Sequence, residues 1–373
     1  MSIQIREVQS KKDLKKFVLF PYKLYEENQY WVPPLTKGEL ENLLPDKNPA
    51  FEYCEAKYWL ALKDNKIVGR IAGIINHKYI EKWNKNYAGF SRFDFVNDEQ
   101  VSNALMERVE NWAKSKGLEG IHGPIGFTNF DHQGMLVEGF NELPTIASTY
   151  NYDYYPKYIE NWGYKKEVDY LEFEVKVPDR VPEKAESLTQ LVLKKHKLKV
   201  VKAKSKKELL TYAKPIFNVI NAAYHPLFAS VDLSESLIDM YIKKYFSFIL
   251  PEYVIIIFNE HDKVIGFQIT IPSLSRAFQK ANGRLFPFGF IHILRALKKP
   301  KYLDLYLVGI HPDYQGKGVS SIFMTELTKI AMVNDIISAE SNSALEENKK
   351  VLEFWKYYDV RQHKRKRVYV KMF

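Results

Sequence analysis

Apolar and polar positions alternate over residues 3–8, the pattern of a strand, and then recur at helical spacing after Ser10, whose hydroxyl suits the N-cap of a helix opening on Lys11-Lys12-Asp13-Leu14. Tyr30-Trp31-Val32-Pro33-Pro34 reads as loop. Residues 58–62 and 67–75 are apolar runs flanking Lys63-Asp64-Asn65-Lys66, which predicts a β-hairpin. A strand is expected over 90–96. Leu105, Val109 and Trp112 share one face of a helix predicted over 101–116, which Gly117 ends.

This order of signals returns in the second half. Ser205-Lys206-Lys207-Glu208-Leu209 repeats the cap at Ser10, Asp262-Lys263-Val264-Ile265-Gly266 repeats Asn65-Lys66-Ile67-Val68-Gly69, and Trp355 falls at the offset of Tyr158. Three landmarks in one order at nearly one spacing indicate two copies of one domain. Val177-Pro178-Asp179-Arg180-Val181-Pro182 follows a strand over 169–176, and its two prolines interrupt any regular element. The expected division is therefore 1–177, a linker at 178–197 containing a charged helix over 183–197, and 198–373, opened by a strand at 199–201.

The second copy predicts helices over 214–224 and 234–248 and apolar strands over 254–258 and 264–271. Residues 276–301 form an insertion in which Phe286, Phe290, Ile293, Leu294 and Leu297 recur at helical spacing against His292, Arg295, Lys298 and Lys299. Such a basic amphipathic segment can pack on the domain core, cover a greasy substrate or touch an anionic membrane surface. Next comes Leu-Asp-Leu-Tyr-Leu-Val-Gly-Ile from Leu303, then a Gly-rich turn and a helix over 321–333. Free backbone N–H groups at such a turn and the positive end of the helix dipole favour an anion on Gln315 to Ser320. A plain strand-to-helix turn needs glycine for its geometry alone. A strand over 335–340, a helix over 349–358 and the basic tail Arg365-Lys366-Arg367-Val368-Tyr369-Val370-Lys371 complete the chain.

The first copy lacks the Gly-rich turn. At that place it carries Asn97-Asp98-Glu99-Gln100, whose carboxylates repel a diphosphate. Its own feature is the loop over 123–140, with four glycines and a cluster of Asn, Asp, His and Gln, the mix of a substrate-facing loop. Asp131 and His132 can act there as acid or base, or can simply cap turns. No His, Cys and carboxylate set shows metal-ligand spacing, so no metal is expected.

The 373 residues are 46% hydrophobic and 14% aromatic, enough for a large core and for two domains. A single cysteine, Cys54, excludes a disulfide within the chain. It fits a reducing compartment, and Met-Ser-Ile-Gln-Ile-Arg lacks the apolar core of a secretory signal, so a cytoplasmic protein is expected. The net charge of +10 is spread along the chain, which points to a general field for anionic ligands rather than to a specific nucleic-acid face. No apolar run reaches the roughly 20 residues that span a bilayer, so any membrane contact would be peripheral.

The strand ending at Val308 to Ile310, with Gln315, Gly318 and Ser320 spaced as [Gln/Arg]-x-x-Gly-x-[Gly/Ala], resembles the signature of the GNAT acyltransferase superfamily; Ser320 stands where the family has Gly or Ala. The resemblance implies an α/β (α+β) fold of two tandem GNAT-like domains, each a mixed central sheet flanked by helices, the first degenerate. It also implies acyl-CoA or acetyl-CoA as thioester substrate, held by Val308, Ile310, Gln315, Gly316, Lys317, Gly318, Val319 and Ser320, with Asn348 at a position that often contacts the cofactor. Glu340, at a strand end, is then the general-base candidate, or an ordinary ion-paired glutamate. The tyrosine acid of many members falls at Trp355, with Tyr357 and Tyr358 close by. More narrowly, Gly134 to Phe140, Tyr154-Tyr155-Pro156, Phe286-Pro287-Phe288-Gly289, Leu345-Glu346-Glu347-Asn348 and Lys366-Arg367-Val368-Tyr369 resemble the bacterial ceramide synthase-like group. That resemblance implies acyl transfer from a thioester, on coenzyme A or on an acyl carrier protein, to a primary and long-chain amine. Two other classes stay open: a non-catalytic acyl-CoA sensor with the same fold, and a nucleic-acid or membrane-surface binder driven by positive charge.

Overall fold

A computed structural model describes residues 2–246, 248–348, 355 and 358–373. Its first half contains β1 (Gln4–Glu7), α1 (Lys11–Leu24), α2 (Thr36–Asn42), β2 (Cys54–Lys63), β3 (Lys66–Asn76), α3 (His77–Trp83), β4 (Tyr87–Phe95), α4 (Glu99–Ser115), β5 (Gly120–Gly123), β6 (Met135–Glu138), α5 (Tyr154–Asn161) and β7 (Lys165–Lys176). Helix α6 (Glu183–Lys195) connects it to β8 (Lys199–Val201), α7 (Lys206–Thr211), α8 (Ala213–Tyr224), α9 (Glu235–Tyr245), β9 (Val254–Phe258) and β10 (Val264–Pro272). Then follow α10 (Ser275–Ala281), α11 (Gly289–Lys298), β11 (Tyr302–Ile310), α12 (Val319–Val333), β12 (Ser338–Ser341), β13 (Ala344–Leu345) and β14 (Val360–Met372).

The repeated caps form as their sequences require. The Ser10 hydroxyl accepts the Asp13 N–H and the Ser205 hydroxyl accepts the Glu208 N–H, each satisfying one orphan donor of a first turn. Asp64 and Asn65 both take positive φ, 51° and 60°, so a two-residue turn joins β2 to β3 with Lys63 opposite Lys66. Strand β12 starts at Ser338 rather than at residue 335, because Asp335 sits at φ 52° in the turn that leaves α12. The basic insertion folds as two helices, and the expected helix over 349–358 lies mostly outside the described residues.

All of the strands but two lie on one path, in the order β1-β2-β3-β4-β5-β14-β7-β12-β11-β10-β9-β8. The repeat boundary in the sequence is therefore not a break in the sheet. The last strand of the chain, β14, enters the first half beside β5, while β7 completes the second half beside β12. On one face, α4 covers the first half, and α6 and α12 cover the second. On the other face, the two halves share a core in which Phe17, Tyr58 and Phe127 pack in one cluster with Ile216, Phe217, Tyr241 and Phe267.

Charge complementarity sets the register of the exchanged strands. Arg361 lies opposite Glu174, Lys364 opposite Glu172 and Arg367 opposite Asp169, and each pair forms an ion pair at 3.0, 3.2 and 2.8 Å respectively. The inner members are cut off from water: the Lys364, Lys366 and Glu172 side chains are 0%, 2% and 1% exposed. Burial raises the Glu172 pKa, but Lys366 and Lys364 outweigh it and hold the carboxyl well below the usual range. Removing one partner of a buried ion pair strands the other, at a cost of about 3–5 kcal/mol. Lys364→Ala is expected to lower stability by about that amount in urea titrations, with both halves unfolding in one transition; a loss within about 1 kcal/mol would show that the pair is solvated.

Candidate functional site

Strand β11 runs parallel to β12 only over Tyr302–Leu305, opposite Ser338–Ser341. Beyond that point β11 continues to Ile310, whereas the other chain turns away and pairs through β13 with Leu171 and Tyr170 of β7. A wedge opens between them. The β10–β11 register skips from Leu305 to Leu307, so Tyr306 is the extra residue of a bulge that re-aims the strand. The carbonyls of Tyr306, Val308 and Ile310 accept hydrogen bonds from Asn342 Nδ2, Tyr224 OH and Gln315 Nε2 at 2.8, 2.9 and 3.0 Å. The N–H and C=O of one strand residue share a side, so the N–H groups of Val308 and Ile310 face the wedge with their carbonyls.

At the end of β11, Pro312–Tyr314 makes one turn and Gln315 leads into Gly316 and Gly318 at φ 73° and 79°. Gly318 is the N-cap of α12 and supplies no side chain to its first turn. A Cβ added at Gly318 would meet Val192 Cγ2 at 2.9 Å, while one at Gly316 would meet nothing within 4 Å, so this cradle is open outward. Gln315, Lys317 and Ser320 are exposed, Val319 is buried beneath them, and no carboxylate lies between Gln315 and Ser320.

The equivalent place in the first half is filled. Strands β4 and β5 also part after three pairs, Tyr87–Gly89 with Gly120–His122. There the Phe95 N–H donates to the Tyr155 hydroxyl at 2.9 Å and the Tyr154 hydroxyl donates to the Phe95 carbonyl at 2.7 Å. Tyr25 and Tyr155, both buried, bond each other in the same gap. Asp98 caps α4, accepting the Gln100 N–H and pairing with Lys63 at 2.9 Å, so amides and cation alike are occupied by the chain's own carboxylate.

Beside the open wedge, Asp304 of β11 faces Glu340 of β12 in register. Glu340 contacts Lys364, and His363 Nε2 lies 3.4 Å from it. Burial works against the Lys364 ammonium, but Glu172 and Glu340 outweigh it and raise its pKa. Asp304 has no such cation to itself. Burial, and then the nearby Glu340, push its carboxyl up to about 8, and its Oδ2 has no hydrogen-bond partner among the described residues. Tyr306 is pushed up to about 12 by burial, with Asp304 adding to it. Tyr306 and Leu307 in turn line a small apolar cavity of about 20 Å³ between Phe217, Tyr241, Tyr245 and Ile249, with Phe130 reaching in from the first half.

The residues singled out in the sequence fall in several places. Val308, Ile310 and the run from Gln315 to Ser320 come together at the wedge and the α12 N-terminus. Glu340 stands at the mouth of the wedge. Asp131 is engaged in structure: its carboxylate accepts the Phe127 and Thr128 N–H groups at 2.7 and 3.1 Å and Asn42 Nδ2 at 2.8 Å. His132 is exposed and its Nε2 lies 3.2 Å from the Ile146 carbonyl. Asn348 follows β13, with its N–H on the Leu345 carbonyl. Tyr358 packs against the α12 core, where burial raises its pKa, and Trp355 is buried against Phe173. Tyr357 lies outside the described residues. Sequence reasoning missed Asp304, Tyr224 and Asn342. A lone aspartate in the apolar run Leu303–Leu305 was the legible signal for the first; the other two act through distant backbone and left none.

No family model matches the chain. It is 28% identical over 345 residues to the Escherichia coli (strain K12) protein YghO, covering 92% of this chain and 87% of that one. It is 23% identical over 381 residues to a Caulobacter vibrioides protein named bacterial ceramide synthase, covering 99% of this chain and 97% of that one. Among solved structures it superposes on a tandem GNAT protein from the clavulanic acid biosynthesis pathway with a TM-score of 0.57 at 10% identity, over 100% of this chain and 98% of that one. A probable N-acyltransferase from Enterococcus faecalis gives a TM-score of 0.52 at 11% identity, over 100% of this chain and 73% of that one. The chain therefore has the tandem GNAT fold, and along nearly its whole length its sequence is similar to that of a bacterial protein named ceramide synthase.

Proposed function

We propose that this protein is an N-acyltransferase that moves an acyl group from an acyl-CoA thioester to the primary amine of a long-chain, lipid-like molecule. The observation that carries this reading is the contrast between the wedges. Tyrosines fill the one in the first half, whereas among the described residues no side chain is seen to bond the Val308 and Ile310 N–H groups in the second, which is bordered by a small apolar cavity through Tyr306 and Leu307. The name of the Caulobacter relative supports the lipid-like acceptor.

In this reading the uncapped first turn of α12, with Gly316, Gly318 and Lys317, holds the diphosphate, and the wedge-facing edge of β11 aligns the arm that carries the thioester. The Val308 N–H polarises the acyl carbonyl. The neutral amine nitrogen forms the new C–N bond as the thioester C–S bond breaks, the proton it sheds passes to water, and the Asp304 carboxyl, neutral below about pH 8, helps to orient the amine by a hydrogen bond. The departing thiolate takes its proton from water, because Trp355 carries no phenol. One of the two chains lies along the apolar residues at Tyr306 and Leu307, and binding there adds proximity to the reaction.

Long-chain acyl-CoA is expected to raise the Tm of the wild type and to leave that of Gly318→Glu unchanged, since the new carboxylate would occupy the α12 amides; equal shifts in both would refute the diphosphate site. With a sphingoid amine added, wild type is expected to release free thiol; stabilisation by acyl-CoA with no thiol release from any amine would make the protein a sensor. Ile249→Trp should fill the cavity and shift preference toward shorter chains, read as kcat/KM across a chain-length series, and an unchanged preference would place the chain elsewhere.

Asp304 also makes a prediction about pH. Its folded-state pKa of about 8 lies above its ordinary value of 3.8, so the folded protein holds a proton that the unfolded chain has lost between those values. Stability is therefore lost as pH rises through that window. The Tm of Asp304→Asn minus that of wild type should grow from about pH 4 to about pH 8 and then level off. A flat difference would mean that Asp304 titrates as an ordinary carboxylate.

A further inference from the structure

Among the described residues, α11 and the turn that joins it to α10 carry a run of exposed large apolar side chains. Phe286, Phe288, Leu294 and Phe290 are 78%, 70%, 58% and 38% exposed, and the Phe286 and Phe290 rings lie 5.8 Å apart, so their surfaces merge into one patch. The opposite face of α11 is already used: Ile293, 3% exposed, packs with Leu274 and Ala277 of the insertion and with Ile146 of the first half. The exposed rings are therefore surplus to what folds the insertion.

The charge around the patch is one-sided. Residues 263–303 contain eight Lys and Arg and no Asp or Glu. Arg284, Arg295, Lys298 and Lys299 are exposed beside the rings, and among the described residues none of them pairs with a carboxylate. Just before this stretch, in contrast, Lys197 and Lys199 pair with Glu260 and Asp262 at 2.6 and 3.2 Å. A helix dipole accounts for Arg295 and Lys298 in the last turn of α11, but not for Arg284 or for exposed phenylalanines.

We propose that this patch docks the protein on an anionic lipid surface, with the rings of Phe286, Phe288 and Phe290 in the headgroup region and the cations over them. Burying an apolar face while placing basic side chains near anionic headgroups is the physics of an interfacial helix, and each cation adds about 1 kcal/mol. A second copy of the chain would bring the same cations against each other, which argues against self-association. Among the described residues, no helix is long and apolar enough to cross a membrane, so contact is at the surface. The buried face of the insertion lies near the apolar cavity: Phe248 packs with Ile293 there, and its near neighbours Phe246 and Ile249 line the cavity. An amphiphile in the lipid surface would thus have a short apolar path to the wedge; this last step alone rests on the acyltransferase reading.

The test is co-sedimentation of the full chain with vesicles of phosphatidylcholine alone or mixed with phosphatidylglycerol. Wild type should bind the mixed vesicles, bind the neutral ones far more weakly, and come off in high salt. The triple variant Arg295→Gln, Lys298→Gln, Lys299→Gln should lose on the order of a hundredfold in affinity for mixed vesicles, and the double variant Phe286→Ser, Phe288→Ser should bind weakly to both. No binding by wild type, equal binding to both vesicle types, or unchanged binding by both variants would overturn the proposal, as would a dimer in solution that the phenylalanine variant dissolves. Both variants should keep the wild-type Tm and its rise with acyl-CoA, which separates loss of docking from misfolding. Vesicle binding without any acyl-CoA effect would sink the acyltransferase reading and leave the docking surface standing.

Discussion

The pairing of β7 with β14 is the constraint on which the rest of this structure depends. One strand ends the first sequence repeat and the other ends the chain, so the contact closes a loop of nearly two hundred residues, and its entropy must be offset by what the strands bury. An acidic strand, with Glu167, Asp169, Glu172 and Glu174, meets a basic one, with Arg361, Lys364, Arg365, Lys366 and Arg367. A slip by one residue would separate Lys364 from Glu172 in a place without water. The same contact builds the site. Lys364 holds Glu340 at the wedge, and Glu172 accepts the hydroxyls of Ser148 from the first-half loop and Ser343 from the end of β12 at 2.7 and 2.8 Å.

Two copies of one geometry have taken opposite chemical courses. Each half parts a pair of parallel strands and starts a helix at the opening. In the first half the tyrosine run after the loop turns back into the gap, and Asp98 neutralises the helix end, so the opening has become core. In the second half glycine replaces the cap, and Tyr224, Gln315 and Asn342 satisfy carbonyls of the strand by donating to them, without taking up its N–H groups. Val308 is 50% exposed, so water can meet this edge until an acceptor group of a ligand replaces it.

The parts legible in the sequence were those written in local pattern. Ser10 and Ser205 as caps, the hairpin at Asp64-Asn65, the tandem order and the Gly316–Gly318 turn all follow from interactions within a few residues. The strand exchange was not legible, because β14 would pair equally well on paper with either half, and only the charge match with β7 decides it. Asp131 drew attention as a polar residue in a Gly-rich loop, yet its carboxylate serves the Phe127 and Thr128 amides, a use invisible without coordinates. Asp304 was passed over because an apolar strand with one carboxylate looks like an ordinary strand until Glu340 is known to lie across from it.

The charges of the buried group set Asp304 apart from Glu340. Glu172 and Glu340 are balanced by Lys364 and Lys366, so these four groups are neutral together. Asp304 is the fifth group. Ionising it adds an uncompensated charge to a dry site, which is why it stays protonated to about pH 8.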